Sequence, residues 1–503
     1  MEKSPNSFRQ LLNPGERNKG LRVFKSVWRW FDDRTGTSNL FGPLLKHKVP
    51  DARGFVGWSY ILGSLTLVAF VVQVATGIAL STSYVTSTGQ AYDSLKFITE
   101  QAPFGNTLRA LHNWGASAMV LFIGLHAVQV FLVGAFKYPR EANWLSGVFL
   151  LLLTLGMGFT GQLLRWDQTA VWSVVVAASQ AGRTPLVGGS LAQFILAGNT
   201  VGGATLSRFF AFHVFFIPAI VFGLIGLHLY LVIRNGVSDP PKVGDSVEPK
   251  TERQRYHAVL DKTGVPFWPD AVWRDAVGAV VLIAVIFALA IFVGPPELGK
   301  PPDPSILQAY PRPDWYLLWY FSALALIPSN LETVVIIGGP LAVGVILVAL
   351  PFIAKKGERN PLRRPWAVGF VLLIVIMIGT LWISGINSDW SPKIDAQPLP
   401  PSVVGATSGQ VAEGGKLFYE KGCLYCHNIG GYGGARGPNL NAIANRYTEP
   451  QLISRILNGG NNMPAYGSNL EPQELNSLVA FLKTRKDAKE GGLLSYSGQI
   501  SPI

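Results

Sequence analysis

Four histidines in the hydrophobic half of the chain fall into two pairs, His112 with His126 and His213 with His228, spaced 14 and 15 residues apart. On a helix rising about 1.5 Å per residue, the members of a pair lie roughly 21–23 Å apart and return to within about 60° of one face. Two such helices side by side can clamp two hemes, one above the other, in an apolar layer about 30 Å thick. Ionisable residues in such a layer are costly and usually functional. A lone histidine there would more often be a hydrogen-bonded structural residue, but two pairs at heme-bridging spacing rarely arise by chance. The simplest assignment is one bis-histidine heme b per level, His112 with His213 and His126 with His228.

A second site lies near the C-terminus. The run Cys423-Leu-Tyr-Cys426-His427 contains both cysteines of the chain. Cys-x-x-Cys-His is a covalent heme c attachment signal, in which two thiols add to the heme vinyls and the histidine binds iron. Met463, followed by Pro464, is the one methionine in this region and the expected second axial ligand. Met/His ligation raises a reduction potential. A zinc site would need two further ligands nearby, and the sequence offers none.

The elements that must position these residues follow from hydropathy. The 503 residues are 49% hydrophobic and 14% charged, with the charges confined between long apolar runs. This is an all-α membrane protein rather than a large soluble core. Seven stretches are long enough to span, near Trp58–Leu80, Leu111–Val133, Trp144–Leu163, Phe209–Ile233, Ala276–Val293, Val334–Ile353 and Val368–Ile383. Two shorter helices, Thr169–Gln180 and Ser190–Asn199, are expected on the surface between spans three and four. The net charge of +12 is placed beside the spans, which argues for topology control rather than nucleic acid. Lysine and arginine crowd the N-terminal segment and alternate loops, as at Lys137, Arg140, Arg234, Lys242, Lys355, Lys356 and Arg359. The N-terminus is therefore expected in the cytoplasm and everything after Ile383 outside. The first 50 residues lack the short apolar core and cleavage site of a signal peptide, so the first span is expected to do the targeting. A proline-rich linker, Asn387–Gly409, leads to a small all-α domain with helices expected over Val411–Lys421 and Pro472–Thr484. Arg109, one turn before His112, could pair with a heme propionate or anchor span two at the interface.

On the histidine pairs, Gln73-Val-Ala-Thr-Gly77, Arg109-Ala-Leu-His112, Gly161-Gln-Leu-Leu-Arg-Trp166-Asp167-Gln168 and the 15-residue second spacing, residues 20–385 resemble the cytochrome b family of Rieske-type quinol:cytochrome c oxidoreductases. The likeness is to its b6/subunit IV branch, and the C-terminal part resembles a class I cytochrome c. The resemblance implies a b6-like diheme domain over 1–236 built as a four-helix bundle and a cytoplasmic connector over 237–270. It further implies a subunit IV-like domain over 271–385, a linker over 386–409, a cytochrome c domain over 410–485 and a flexible tail over 486–503. Gly63 and Gly77 match positions where the family needs small residues for close heme approach; ordinary helix packing would use them too.

The same resemblance makes Pro313-Asp314-Trp315-Tyr316 the quinol-oxidising loop, where the family carries glutamate in place of Asp314. Quinol oxidation releases protons, and a partly buried carboxylate can take one. Asp314 could equally cap a helix over Trp315–Leu326. Asp314 and Tyr316 are the candidate catalytic residues, and Trp315 would wall the pocket. The aspartate form is similar to menaquinol-using members. The implied partners are a Rieske iron–sulfur protein, a soluble or membrane-bound acceptor such as cytochrome c, the lipid of a bacterial cytoplasmic membrane, and a second copy in a homodimer. Chloroplast-type relatives hold an extra heme through a first-span cysteine; Ile61 stands at that position, so no covalent extra heme is expected. Arg234 and Lys242 are candidates for an inner quinone site. The competing reading is a passive heme anchor relaying electrons between a dehydrogenase and the quinone pool, which would need no such loop.

Overall fold

The computed structural model describes residues 19–38, 47–52, 54–303, 312–387, 396–434, 438–459, 463, 465–467 and 469–486. Seven helices are long and apolar enough to cross a membrane: Val56–Ser81, Gly105–Leu132, Glu141–Leu163, Gly203–Asn235, Phe267–Phe292, Asn330–Ile353 and Pro365–Asn387, spans one to seven. Helix is the state such runs must adopt, because hydrocarbon cannot satisfy a free backbone N–H or C=O. Spans two and four begin about six residues before the expected points. Their first turns are polar (Asn106, Thr107, Arg109; Thr205, Ser207, Arg208), so hydropathy stops where the helix does not. The expected surface helices run over Gln168–Gly182 and Gly188–Leu196, and the Asp167 carboxylate accepts the Ala170 N–H at 2.8 Å to start the first of them.

Span four is not uniform. Phe212–Phe216 forms one π-helical turn, with α-helix on either side. Such a bulge accommodates an extra residue within a continuous helix. It therefore offsets the one residue by which the second histidine spacing exceeds the first. Spans one, two and five share a core that includes Leu65, Ala69, Phe70, Ala110, Leu111, Leu282 and Ile286. Outward faces carry exposed Val280, Ile346 and Leu373, as lipid contact requires.

The connections divide between two ends of the bundle. Residues 82–104, 164–202, 294–303 and 312–317 lie at the loop end. At the opposite, clasp end, the chain after span four is tied to both halves of the membrane part. Fully buried Arg359 donates to Asp239 Oδ1 at 3.0 Å, Asp245 Oδ2 at 3.4 Å and Ser238 Oγ at 2.7 Å. Arg255 bridges Asp239 and Glu252, and Arg140 donates to the Gly236 carbonyl at 2.9 Å. Two short antiparallel pairings, Ser246–Val247 with Gly357–Glu358 and Lys48–Val49 with Val265–Pro266, complete the clasp. Past span seven, helices Gly409–Glu420, Glu449–Asn458 and Pro472–Lys483 enclose a separate core around Leu417, Phe418, Leu424, Ile429 and Phe481.

Burial alone would raise the Asp239 carboxyl, but hydrogen bonds from Arg255 and the charges of Arg359 and Arg255 hold it down at about 2. A carboxyl held below its unfolded value of about 3.9 stabilises the fold above that pH, and the contribution fades as pH falls toward 2. Arg359→Met removes a buried partner and is expected to cost about 3–5 kcal/mol. Thermal unfolding of the detergent-solubilised protein at neutral pH checks this; an unchanged midpoint would contradict the clasp.

Candidate diheme and quinol site

The structure brings the four membrane histidines together in the expected pairs. His112 of span two faces His213 of span four, with ring centroids 6.1 Å apart and planes at 77°. Two metal–imidazole bonds of about 2.0 Å, with half a ring at each end, fill a gap of about 6 Å. His126 lies within direct electrostatic reach of His228 toward the clasp end.

Spans one and three wall these pairs with glycine. A Cβ added at Gly77 would lie 3.2 Å from His112 Cε1, and one at Gly161 only 2.6 Å from His213 Cε1. At the other level, Gly63 approaches His126 Cε1 at 3.2 Å and Gly147 approaches His228 Cε1 at 3.6 Å on the same measure. Within each wall the two glycines are 14 residues apart, the interval between His112 and His126, while His213 and His228 are 15 apart. Gly63 and Gly77 were legible through the family likeness. The roles of Gly147 and Gly161 were missed, although the repeated 14-residue interval in span three was a signal for them.

Hydroxyls fix the ring tautomers. His112 Nδ1–H donates to Thr76 Oγ1 at 2.9 Å, His213 to Thr160 Oγ1 at 3.2 Å and His228 to Ser146 Oγ at 2.8 Å. The hydroxyls spend their own protons on the carbonyls of Val72, Gly156 and Asn143. Each of these rings thus has Nε2 as the nitrogen that could bind a metal. Paired neutral imidazoles over glycines that a Cβ would fill are a donor set and a cradle that fit two hemes.

At the loop end, Asp314, Trp315 and Tyr316 sit together. The Tyr316 hydroxyl donates to Asp314 Oδ2 at 3.2 Å and lies against Gly158 of span three, where a Cβ would collide with it. Gly158 is less than one turn from Gly161, the glycine beneath His213. Burial raises the Tyr316 phenol, and the charge and hydrogen bond of Asp314 raise it further, so it remains a donor. Trp315 is exposed and its indole donates to Ser117 of span two at 3.3 Å. The helix expected from Trp315 starts only at Leu318, because Asp314 takes the Tyr316 hydroxyl while its carbonyl closes a turn onto Leu317. Arg109 is buried and donates to the Pro296 carbonyl at 2.6 Å and Thr99 Oγ1 at 3.3 Å, so it ties span two to the chain after span five. Ile61 fills the space over Gly278 of span five.

In the C-terminal domain, Cys423 and Cys426 are not joined in a disulfide. The His427 Nδ1–H donates to the Pro438 carbonyl at 2.8 Å, which leaves Nε2 for iron. Burial holds the His427 imidazole below its ordinary value, in the neutral form a ligand needs. Met463 packs against the domain core, while Pro464 lies outside the described residues. The domain meets the membrane part at the loop end: Asn469 donates to Asp303 Oδ1 at 2.7 Å, and Gln168 exchanges two hydrogen bonds with the Asp303 backbone.

Family models match three stretches of the chain. Residues 50–236 match "Cytochrome b/b6/petB", 305–394 match "Cytochrome b(C-terminal)/b6/petD", and 410–482 match "Cytochrome C oxidase, cbb3-type, subunit III". The menaquinol:cytochrome c reductase cytochrome b subunit of Bacillus subtilis (strain 168) is 38% identical over 224 residues, 43% of this chain and 100% of that protein. Cytochrome b6 of Heliobacterium mobile is 39% identical over 212 residues, 42% of this chain and 99% of that protein. The chain belongs to the cytochrome b/b6 family. A solved hyperthermophilic respiratory Complex III chain superposes with a TM-score of 0.61 at 26% identity, covering 79% of this chain and 96% of that one. This cytochrome b thus carries a cytochrome c domain on the same polypeptide, and that domain's model is the cbb3-type one.

In this cytochrome b, Gly161→Val would drive a side chain into the His213 ring. Loss of b-type heme is expected, measured as the b-to-c ratio in a pyridine hemochrome spectrum. Full b-heme content in that variant would contradict the cradle.

Proposed function

We propose that this chain is the cytochrome b/c subunit of a quinol:cytochrome c oxidoreductase, a redox core that oxidises menaquinol at the outer face of a bacterial cytoplasmic membrane. The observation that carries the reading is the Asp314–Tyr316 pair, set against Gly158 within a turn of the wall beneath His213. A passive anchor would have no use for a carboxylate and a phenol in that position.

The loop end is the outer face in this reading, which agrees with the crowding of lysine and arginine toward the clasp end. His112 and His213 hold the outer heme b, His126 and His228 the inner, and Cys423, Cys426, His427 and Met463 the heme c. These groups supply one-electron redox chemistry when bound. Arg109, three residues before His112, would pair with an outer propionate. With Ile61 at the first-span position, no covalent extra heme is held there. A quinol entering beside Trp315 would hydrogen-bond Asp314, which accepts a proton at a carboxylate oxygen and turns it outward. Tyr316, kept protonated by burial, orients that carboxylate. One electron of each quinol passes to a Rieske iron–sulfur partner and on to the c domain, and thence to an acceptor such as a cytochrome c. The other crosses toward the inner level. Hydrogen bonding between Asn469 and Asp303 supports the c domain as the output, since it keeps that domain beside the quinol loop at high effective concentration. A homodimer is the assembly proposed.

Asp314→Asn keeps the shape and removes the proton acceptor. Quinol-dependent reduction of the c heme in the purified complex is expected to slow about 100-fold. An unchanged rate, insensitive to quinone-site inhibitors, would overturn the role of Asp314.

A further inference from the structure

The c domain is fastened to the membrane part through the loop that carries its own candidate axial ligand. Met463, Tyr466 and Asn469 follow one another at three-residue intervals. The Asn469 amide donates to Asp303 Oδ1 at 2.7 Å. Tyr466 belongs to the apolar core that Cys423 and Met463 pack against, and it lies within direct electrostatic reach of Cys423, Cys426 and Asp303. The Asp303 carboxylate is presented from a fixed seat. Its N–H donates to Gln168 Oε1 at 2.6 Å and its carbonyl accepts from Gln168 Nε2 at 2.8 Å, at the start of the first surface helix. The chain just before it is tied to the same helix start, where Asp167 Oδ2 accepts the Gly299 N–H at 3.2 Å and the Lys300 carbonyl accepts the Gln168 N–H at 2.9 Å. On the c-domain side, the Asn469 carbonyl accepts from Lys421 at 3.2 Å, and Lys421 is in turn paired with Glu474 at 2.9 Å. A second contact is longer, with the Thr200 hydroxyl 3.5 Å from the Asn458 carbonyl. Among the described residues, the c-domain core takes in no residue of the membrane part.

We propose that Asp303 is a redox-linked latch: its carboxylate seats the c domain through Asn469 while the heme c is ferric, and holds it less tightly once the heme is ferrous. The inference rests on the heme c reading above and gives its electron output a direction. A fixed negative charge beside a heme favours the ferric form, which carries one more positive charge, and so lowers the reduction potential. That charge belongs to the membrane part, so the c domain feels it only while seated. Linkage requires the reverse effect by the same factor: if seating favours ferric iron, reduction disfavours seating. The attachment suits release, because it is made of hydrogen bonds rather than a shared apolar core, and such interfaces permit domain motion. The c domain therefore stays at the quinol loop while it can accept an electron and loosens when it holds one to deliver. The change is a single electron onto the iron, supplied by the Rieske centre; no proton moves and no bond is made or broken there. Asp303 and Asn469 are positioning residues, since they touch neither quinol nor a reacting atom.

Two measurements on the purified complex test this. Spectroelectrochemical titration of the c band reads the charge. Asp303→Asn keeps the shape and is expected to raise the c-heme potential, by about a tenfold shift in the ferric–ferrous balance, about 59 mV for a one-electron couple. Asp303→Glu retains the charge and is expected to stay near the wild-type value. Hydrogen exchange followed by mass spectrometry reads the seat, in ferricyanide-oxidised and ascorbate-reduced protein. Peptides containing Asp303 and Asn469 are expected to exchange faster in the reduced wild type, and Asp303→Asn to abolish the difference. If Asp303→Asn fails to assemble, Asn469→Ala, made on the other side of the contact, is expected to give the same raised potential. An unmoved potential with full heme c content, or equal exchange in the oxidised and reduced wild type, would overturn the inference and leave the heme c reading standing. Absence of covalent heme c from the wild-type protein would overturn both.

Discussion

Close approach between imidazole and helix backbone is the constraint on which the rest of the structure depends. Four histidine rings lie over four glycines, and at Gly161 the space is too small for even a methyl group. Glycine in a membrane helix lets neighbouring segments approach closely. Here the approach serves a ring and the flat group it would hold. Histidines on spans two and four, 14 and 15 residues apart, face glycines on spans one and three at a constant 14. The π-helical turn at Phe212–Phe216 reconciles these registers, because it takes up the additional residue without breaking span four.

Function is distributed between the two ends of this frame. At the loop end, Asp314 and Tyr316 sit beside the His213 wall, and the c domain is hydrogen-bonded through Asn469 to Asp303. At the clasp end, Arg359, Arg255 and Asp239 join the segment after span four to that between spans six and seven. The b/b6 family model matches residues 50–236, and the cytochrome b6 of Heliobacterium mobile matches 42% of the chain. The clasp is thus what links that part to the remaining spans within one polypeptide.

Much of this was legible in the residue order. Seven apolar runs gave the spans, because hydrocarbon leaves a long apolar segment no alternative to helix. Their ends were less legible, since Arg109 and Arg208 sit in helical turns that hydropathy reads as loop. The histidine pairing followed from spacing alone, while the loop at Asp314 was visible only through likeness to a family. Contacts across the bundle were hidden. Ser146 and Thr160 are ordinary helix residues in sequence, and their meaning comes from His228 and His213, more than fifty positions away. Arg109 looked like a propionate partner or an interfacial anchor, whereas in the fold it also holds the Pro296 carbonyl.

The central claim is that spans two and four grip two noncovalent hemes between them. Acid–acetone extraction of the purified chain, with heme quantified before and after, tests it most directly. Two extractable b-type hemes are expected for each c-type heme retained on Cys423 and Cys426. Recovery of one extractable heme or none, from fully folded protein, would contradict the account.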